Sequence, residues 1–197
     1  MQLNTAINNI SELNKYMNRF VSYSIFLSVL LFLYNCTSKT DYELMVQDGL
    51  QSGIEQDSLF LGYYFGMSSK DFFSHSWEMN HQGIITGQTK IVYELQDLTY
   101  PALMEFYPAF NNDSIARMPV SVGFQGWAPW NEHLNSNELI NELIQYYGEN
   151  YESNFRIIFI PEMNREAHVD IQGNREIRIY PESHSNVIVE FIDHSNQ

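Results

Sequence analysis

The sequence predicts a mixed α+β fold in which each helix is followed by a run of antiparallel strands. Three observations carry that expectation. Apolar residues recur at helical spacing near residues 69–81 and 135–147, while seven other segments alternate apolar and polar residues with the two-residue period of a half-buried strand. The links between those segments are short and rich in Gly, Asn, Asp and Ser. Links of that length join antiparallel neighbours and leave no room for crossover helices. The expected order is α-β-β-β, then α-β-β-β-β, after an N-terminal signal helix. It makes a single domain over residues 58–197, with halves at about 58–125 and 132–197.

The first element is the signal helix. Phe20 to Tyr34 (FVSYSIFLSVLLFLY) carries no charge and follows Lys15 and Arg19. Its helix would reach about 22 Å, short of the roughly 30 Å hydrocarbon core, so it reads as the apolar region of a secretory signal rather than a spanning helix. Met17 would itself open a well-proportioned signal, which makes it an alternative translation start and residues 1–16 an extension ahead of it. The run ends at Leu33-Tyr34-Asn35-Cys36, and Cys36 is the only cysteine of the chain. That ending resembles the bacterial lipoprotein signal, with Leu33 at the third position before the cysteine; Tyr34 and Asn35 are larger than the residues usual there. The resemblance implies cleavage after residue 35 and lipid attachment at Cys36. Several acyl chains on one residue make membrane attachment effectively permanent. An uncleaved anchor or an ordinary buried cysteine is the plainer alternative.

Thr37 to Asp41 reads as a polar tether, and Tyr42 to Asp57 as a weak helix interrupted by Gly49 and Gly53. Ser58 to Gly66 (SLFLGYYFG) is either a first strand or a buried lead-in. Ser68 and Asp71 form a capping-box pattern that starts a helix from about Ser69 to His81, with Phe72, Phe73, Ser76, Trp77 and Met79 near one face and Gly83 as its stop. Strands are expected at Thr89–Gln96, Pro101–Tyr107 and Ile115–Phe124. Pro119 lacks a ladder donor, which places the third of these at a sheet edge or beside a bulge. Asn135 and Glu138 open the second helix, whose stripe is Leu139, Ile140, Leu143, Ile144 and Tyr147, and Gly148 is expected to end it. Four strands follow at about 154–160, 167–172, 175–180 and 187–192, with Gly173-Asn174 as a two-residue hairpin turn.

Helix followed by antiparallel strands, opened by Gly66-Met67-Ser68-Ser69-Lys70, resembles the small envelope lipoproteins of the β-barrel assembly machinery. The whole chain is also similar to uncharacterised bacterial lipoproteins, a likeness that implies no activity. Together they imply a place in the cell envelope, on the periplasmic or cell-surface side of a bacterial membrane.

Charge narrows the partners. The chain has 24 acidic and 10 basic residues, a net charge of −14; from Cys36 onward the balance is −15. Phosphate backbones repel such a surface, so nucleic acid is not an expected partner. The excess charge either steers a basic partner or serves solubility.

No cofactor or metal is expected, and no catalytic residue is assigned. His75, Glu78 and His81 are three apart on a helix and do not share one face, so they read as surface polar residues. His168 and Asp170 share a strand face, and with His184 they form a weak candidate for a metal or hydrolase site; no nucleophile elbow accompanies them. Trp127 and Trp130 flank Pro129 in the link between halves, with Tyr100, Tyr107 and Phe110 upstream. They are either a platform for a ligand or partner, or the closure of a core corner. The expectation is a membrane-anchored, non-enzymatic module that binds another protein or helps assembly. The alternatives are an acidic inhibitor or immunity lipoprotein, and a small His/Asp hydrolase.

Overall fold

The alternating segments pair, as their short links require, into one antiparallel sheet of eight strands. The structure, a computed structural model, describes residues 39–196 apart from Gln88. The signal segment, the alternative start at Met17 and Cys36 lie outside the described residues. Residues 40–197 form one compact unit.

Its elements are helix α1 (Asp41–Gln51), helix α2 (Ser69–His81), strands β1 (Ile91–Leu95), β2 (Ala102–Phe106), β3 (Ala109–Asn111) and β4 (Ser114–Phe124), helix α3 (Ser136–Tyr151), and strands β5 (Arg156–Ile160), β6 (Arg165–Gln172), β7 (Arg175–Pro181) and β8 (Asn186–Asp193). The sheet runs β1-β2-β4-β8-β7-β6-β5, and β3 pairs with β4. The protein is therefore a mixed α+β fold. Its central joint is β4 against β8, paired from Arg117↔Ile192 to Gly123↔Asn186.

The period-two pattern gives the sheet two faces. Met104, Phe106, Val120, Val122, Ile177, Ile179, Val189 and Phe191 point to one side, into a cluster with Phe72 and Met79 of α2 and Leu139, Leu143 and Tyr147 of α3. On the other side α1 packs over β5 and β6, where Tyr42 meets Ile160, Ala167 and Val169. Three layers result, with α1 covering only part of its face.

Several elements differ from the sequence expectation, each for a tertiary reason. Gly49 does not interrupt α1, because the helix passes so close to the β6–β7 turn that a Cβ at Gly49 would sit 2.7 Å from the Gly173 carbonyl oxygen. Gly148 does not end α3. The helix continues to Tyr151, whose ring packs against Phe191, and closes on left-handed Glu152 (φ 55°). On α2, Phe72 and Met79 are buried while Phe73 and Trp77 are exposed. The segment 58–66 is a lead-in: a tight turn bridged from Ser58 to Tyr64 buries Leu59, Phe60, Tyr63 and Phe65. Strand β3 is an addition, created by a turn at Asn112 and Asp113, both at positive φ.

Pro119 sits in an interior strand rather than at an edge. The register shows how it is tolerated. Partner β2 ends opposite Val120 and β3 begins opposite Arg117, so Met118 and Pro119 face a gap on that side, beside a register shift at Ala109/Phe110. No neighbour there needs the donor that proline lacks.

Gly173 concentrates the geometric demand of this end of the sheet. It adopts φ +63°, and a Cβ would lie 2.0 Å from the Ile54 carbonyl oxygen. A left-handed alanine costs about 1–2 kcal/mol and a forced contact roughly 1–3 more. Gly173→Ala is therefore expected to lose about 2–4 kcal/mol in urea unfolding; an unchanged midpoint would contradict the close approach of the segment after α1, at Ile54, to this turn.

Candidate functional site

Trp127 and Trp130 lie on the link between β4 and α3, at the end of the sheet where β2 begins, β4 ends and β8 begins. The link is held by its own polar atoms. Asn131 Nδ2 donates to the Gly126 carbonyl at 2.8 Å, and Gly126 takes φ +77° to make that turn. Asn131 N–H donates to the Ala128 carbonyl, Leu134 is buried as a plug, and the Asn135 side chain accepts from the N–H groups of Asn137 and Glu138 to start α3. Ser136 N–H donates to the His184 carbonyl at 2.9 Å, fastening the link to the β7–β8 turn.

This scaffold leaves Trp130 82% exposed and Trp127 38% exposed. Trp127 sits edge-on to His184 at 6.3 Å between ring centres, and Tyr100 lies 5.4 Å from His133 and 6.1 Å from Phe124. An exposed aromatic rim therefore borders three loops: 96–101, 125–135 and 182–185. Those loops hold Asp97, Glu132 and Glu182 and no Lys or Arg. Tyr107 and Phe110 do not join it; both pack against Phe72, 5.9 and 5.8 Å away.

The His/Asp candidates are not gathered. His168 is half-buried in register with Ile179, and burial pulls its pKa below the usual imidazole value. Asp170 is buried and accepts the Asn154 N–H at 3.1 Å. His184 is exposed in the β7–β8 turn, past the end of β7. His168 pairs with Ile179, and His184 follows five residues later along the chain, beyond the end of β7 at Pro181. His75 donates from Nε2 to the Leu61 carbonyl at 2.7 Å, and His81 stacks on Trp77. Among the described residues, no three His, Cys, Asp or Glu side chains converge as a metal site, and no helix is long and apolar enough to cross a bilayer.

A cluster that sequence reasoning missed lies beneath α1. Arg178 and Glu176 alternate on β7 and point to the α1 face, with side chains 1% and 0% exposed. Arg178 Nε donates to Glu176 Oε1 at 2.5 Å, Arg178 Nη2 to the Tyr42 hydroxyl at 2.7 Å, and that hydroxyl to Glu176 Oε2 at 2.9 Å. His194 Nε2 donates to Glu176 Oε2 at 2.6 Å. Burial by itself raises the Glu176 pKa, but the hydrogen bonds from His194 and Arg178 outweigh it and hold the carboxyl below its ordinary value. Glu190, beside Arg117 at 3.1 Å, goes the other way: burial pushes it up, and Arg117 and Arg178 offset only part of that. An alternating charged face reads in sequence as solvated; only the placement of α1 makes it interior.

The cluster latches α1 to the sheet. Beside it, α1 and the β4 and β8 strands enclose a groove of about 930 Å³ lined by Val46, Leu50, Ala116 and Ile192, with Arg178 and His194 in its wall.

No protein-family model matches the chain, and no curated protein or solved structure is significantly similar to it.

Two tyrosines give a matched test of the latch. The Tyr42 hydroxyl bridges Arg178 and Glu176, whereas the buried Tyr147 hydroxyl has no hydrogen-bond partner among the described residues. Tyr42→Phe is expected to cost about 1–3 kcal/mol because it leaves charged groups under-satisfied, while Tyr147→Phe is expected to be neutral or stabilising by up to about 1 kcal/mol. Urea unfolding of both variants checks the sign; equal losses would contradict the assignment of the latch.

Proposed function

We propose that the protein is a membrane-anchored envelope lipoprotein that acts as a non-enzymatic binding or assembly module, held to lipid through Cys36 and docking a protein partner on its aromatic rim. The supporting observation is Trp130. A tryptophan 82% exposed on a hydrogen-bonded turn, on the same link as Trp127, does no packing work and is suited to a partner's pocket. Trp and Tyr dominate binding hot spots because they cover large apolar area at little entropic cost. The acidic loops around the rim favour a basic partner surface. In this reading the chain is organised as two helix-plus-strand units, α2 with β1–β4 and α3 with β5–β8, and the rim lies where they meet.

The inhibitor or immunity reading is the second proposal, favoured by the same acidic loops. It differs in the partner: a toxin or enzyme that loses activity when bound, rather than an envelope component.

The experiment is crosslinking and affinity capture from envelopes with three forms of the full chain. The unaltered protein is expected to recover a partner in the membrane fraction, with recovery falling as salt rises. Trp130→Ala is expected to leave the unfolding midpoint within about 0.5 kcal/mol, as an exposed substitution does, yet cut recovery at least tenfold. Cys36→Ser is expected to leave the membrane fraction. Equal recovery by Trp130→Ala would sink the rim as the docking surface, and unchanged sedimentation of Cys36→Ser would sink the anchor.

A further inference from the structure

A second concave site lies at the other end of the sheet, between the C-terminal turns of α3, the lead-in segment 56–61 and the β6–β7 hairpin. The cleft measures about 580 Å³, within the size range of small-molecule sites. Tyr93, Tyr146, Tyr147 and Tyr151 form its aromatic wall, with Gln172 and Arg175 beside them.

Arg175 is unusual for an arginine in that it is 4% exposed and has no carboxylate within 4.0 Å among the described residues. Its guanidinium lies 5.0 Å over the Tyr151 ring and donates to the Ser58 carbonyl and to Gln172 Oε1, each at 3.2 Å. Those two bonds fix the plane of the fork and leave part of its five-donor capacity unused. A buried cation normally takes a counter-ion. Burial draws the pKa of this guanidinium down, and the charges of Tyr151 and Asp170, neither of them bonded to it, offset only part of that. A second polar group points to the same chemistry: the Tyr147 hydroxyl, buried without a partner among the described residues, one ring away from Tyr151 at 5.5 Å between centres.

The geometry points to this cleft as a binding site for a small organic monocarboxylate with an aromatic body, its carboxylate on Arg175 and its body against the tyrosines. A planar carboxylate matches the guanidinium fork and accepts charge-assisted bonds from it. A shift of the Tyr147 ring would let its hydroxyl donate a further bond. Glu152 at the cleft's edge disfavours ligands with more negative charge. The site is separate from the aromatic rim and stands whether or not the rim binds a partner.

Calorimetric titration of the full chain tests it, with phenylacetate and 3-phenylpropionate as probes and phenylacetamide as the neutral isostere. Both carboxylates are expected to bind at one equivalent per chain, and phenylacetamide at least tenfold more weakly. Arg175→Gln is expected to weaken the carboxylates at least tenfold and leave the amide unchanged. Tyr147→Phe keeps the ring and is expected to weaken them about fivefold without loss of stability, so the test survives if Arg175→Gln fails to fold. Trp130→Ala is expected to bind as the unaltered chain does. Absence of saturable binding by either carboxylate, or equal affinity for phenylacetate and phenylacetamide, would overturn the proposal.

Discussion

The pairing of β4 with β8 is the constraint on which the rest of the structure depends. It joins a strand from the middle of the compact unit to the last strand of the chain in one ladder over seven residue pairs, Arg117 to Gly123 against Ile192 to Asn186. Val120 and Val122 thereby meet Val189 and Val187 at the centre of the core, where every one of these side chains is fully buried. The same register sets the loop after β4 beside the turn before β8, so that Trp127 reaches His184 and Ser136 is fastened to the His184 carbonyl. On the far face it aligns Pro119 with Glu190 and Arg117 with Ile192, which forms the floor of the groove next to α1. A one-residue slip would exchange the two faces and remove all three features together.

The strands were the most legible part of the chain. Their alternation survives as burial: β2 reads buried, exposed, buried along Ala102, Leu103, Met104, and β4 keeps the same rhythm through most of its length. Helix α2 was legible to the residue because its start depends on a local bond, Ser68 Oγ accepting the Asp71 N–H. What was not legible depended on partners distant in sequence. Strand β3 is three residues long and exists because β4 lies beside it. Helices α1 and α3 run through Gly49 and Gly148 because packing outweighs the helical penalty of glycine.

The candidate sites divide in the same way. Trp127 and Trp130 were visible as a pair of rigid aromatics in a link, and sequence left two readings open; their degree of exposure, Trp130 82% and Trp127 38%, was set by the link's turn and not by the residues themselves. Arg175 and Arg178 were not visible at all. Both sit in the alternating stretch Arg175-Glu176-Ile177-Arg178-Ile179, whose charged residues suggest a watery face. Instead α1 closes over Arg178 and Glu176, and the lead-in segment closes over Arg175 through the Ser58 carbonyl. Buried charges of this kind do little for net stability, yet removing one partner is severe, so they fix arrangement more than they add strength. Here the arrangement they fix is the seat of α1 on the sheet.

Native-state amide hydrogen exchange of the full chain probes the β4–β8 joint most directly. If that ladder is the shared centre of the core, amides of Met118, Val120 and Val122 and of Val187, Val189 and Phe191 that bond within the sheet will be the slowest to exchange, and both strands will open with one common free energy equal to that of global unfolding. Separate opening energies for the two strands, with β1–β4 released while β5–β8 stay protected, would contradict the account.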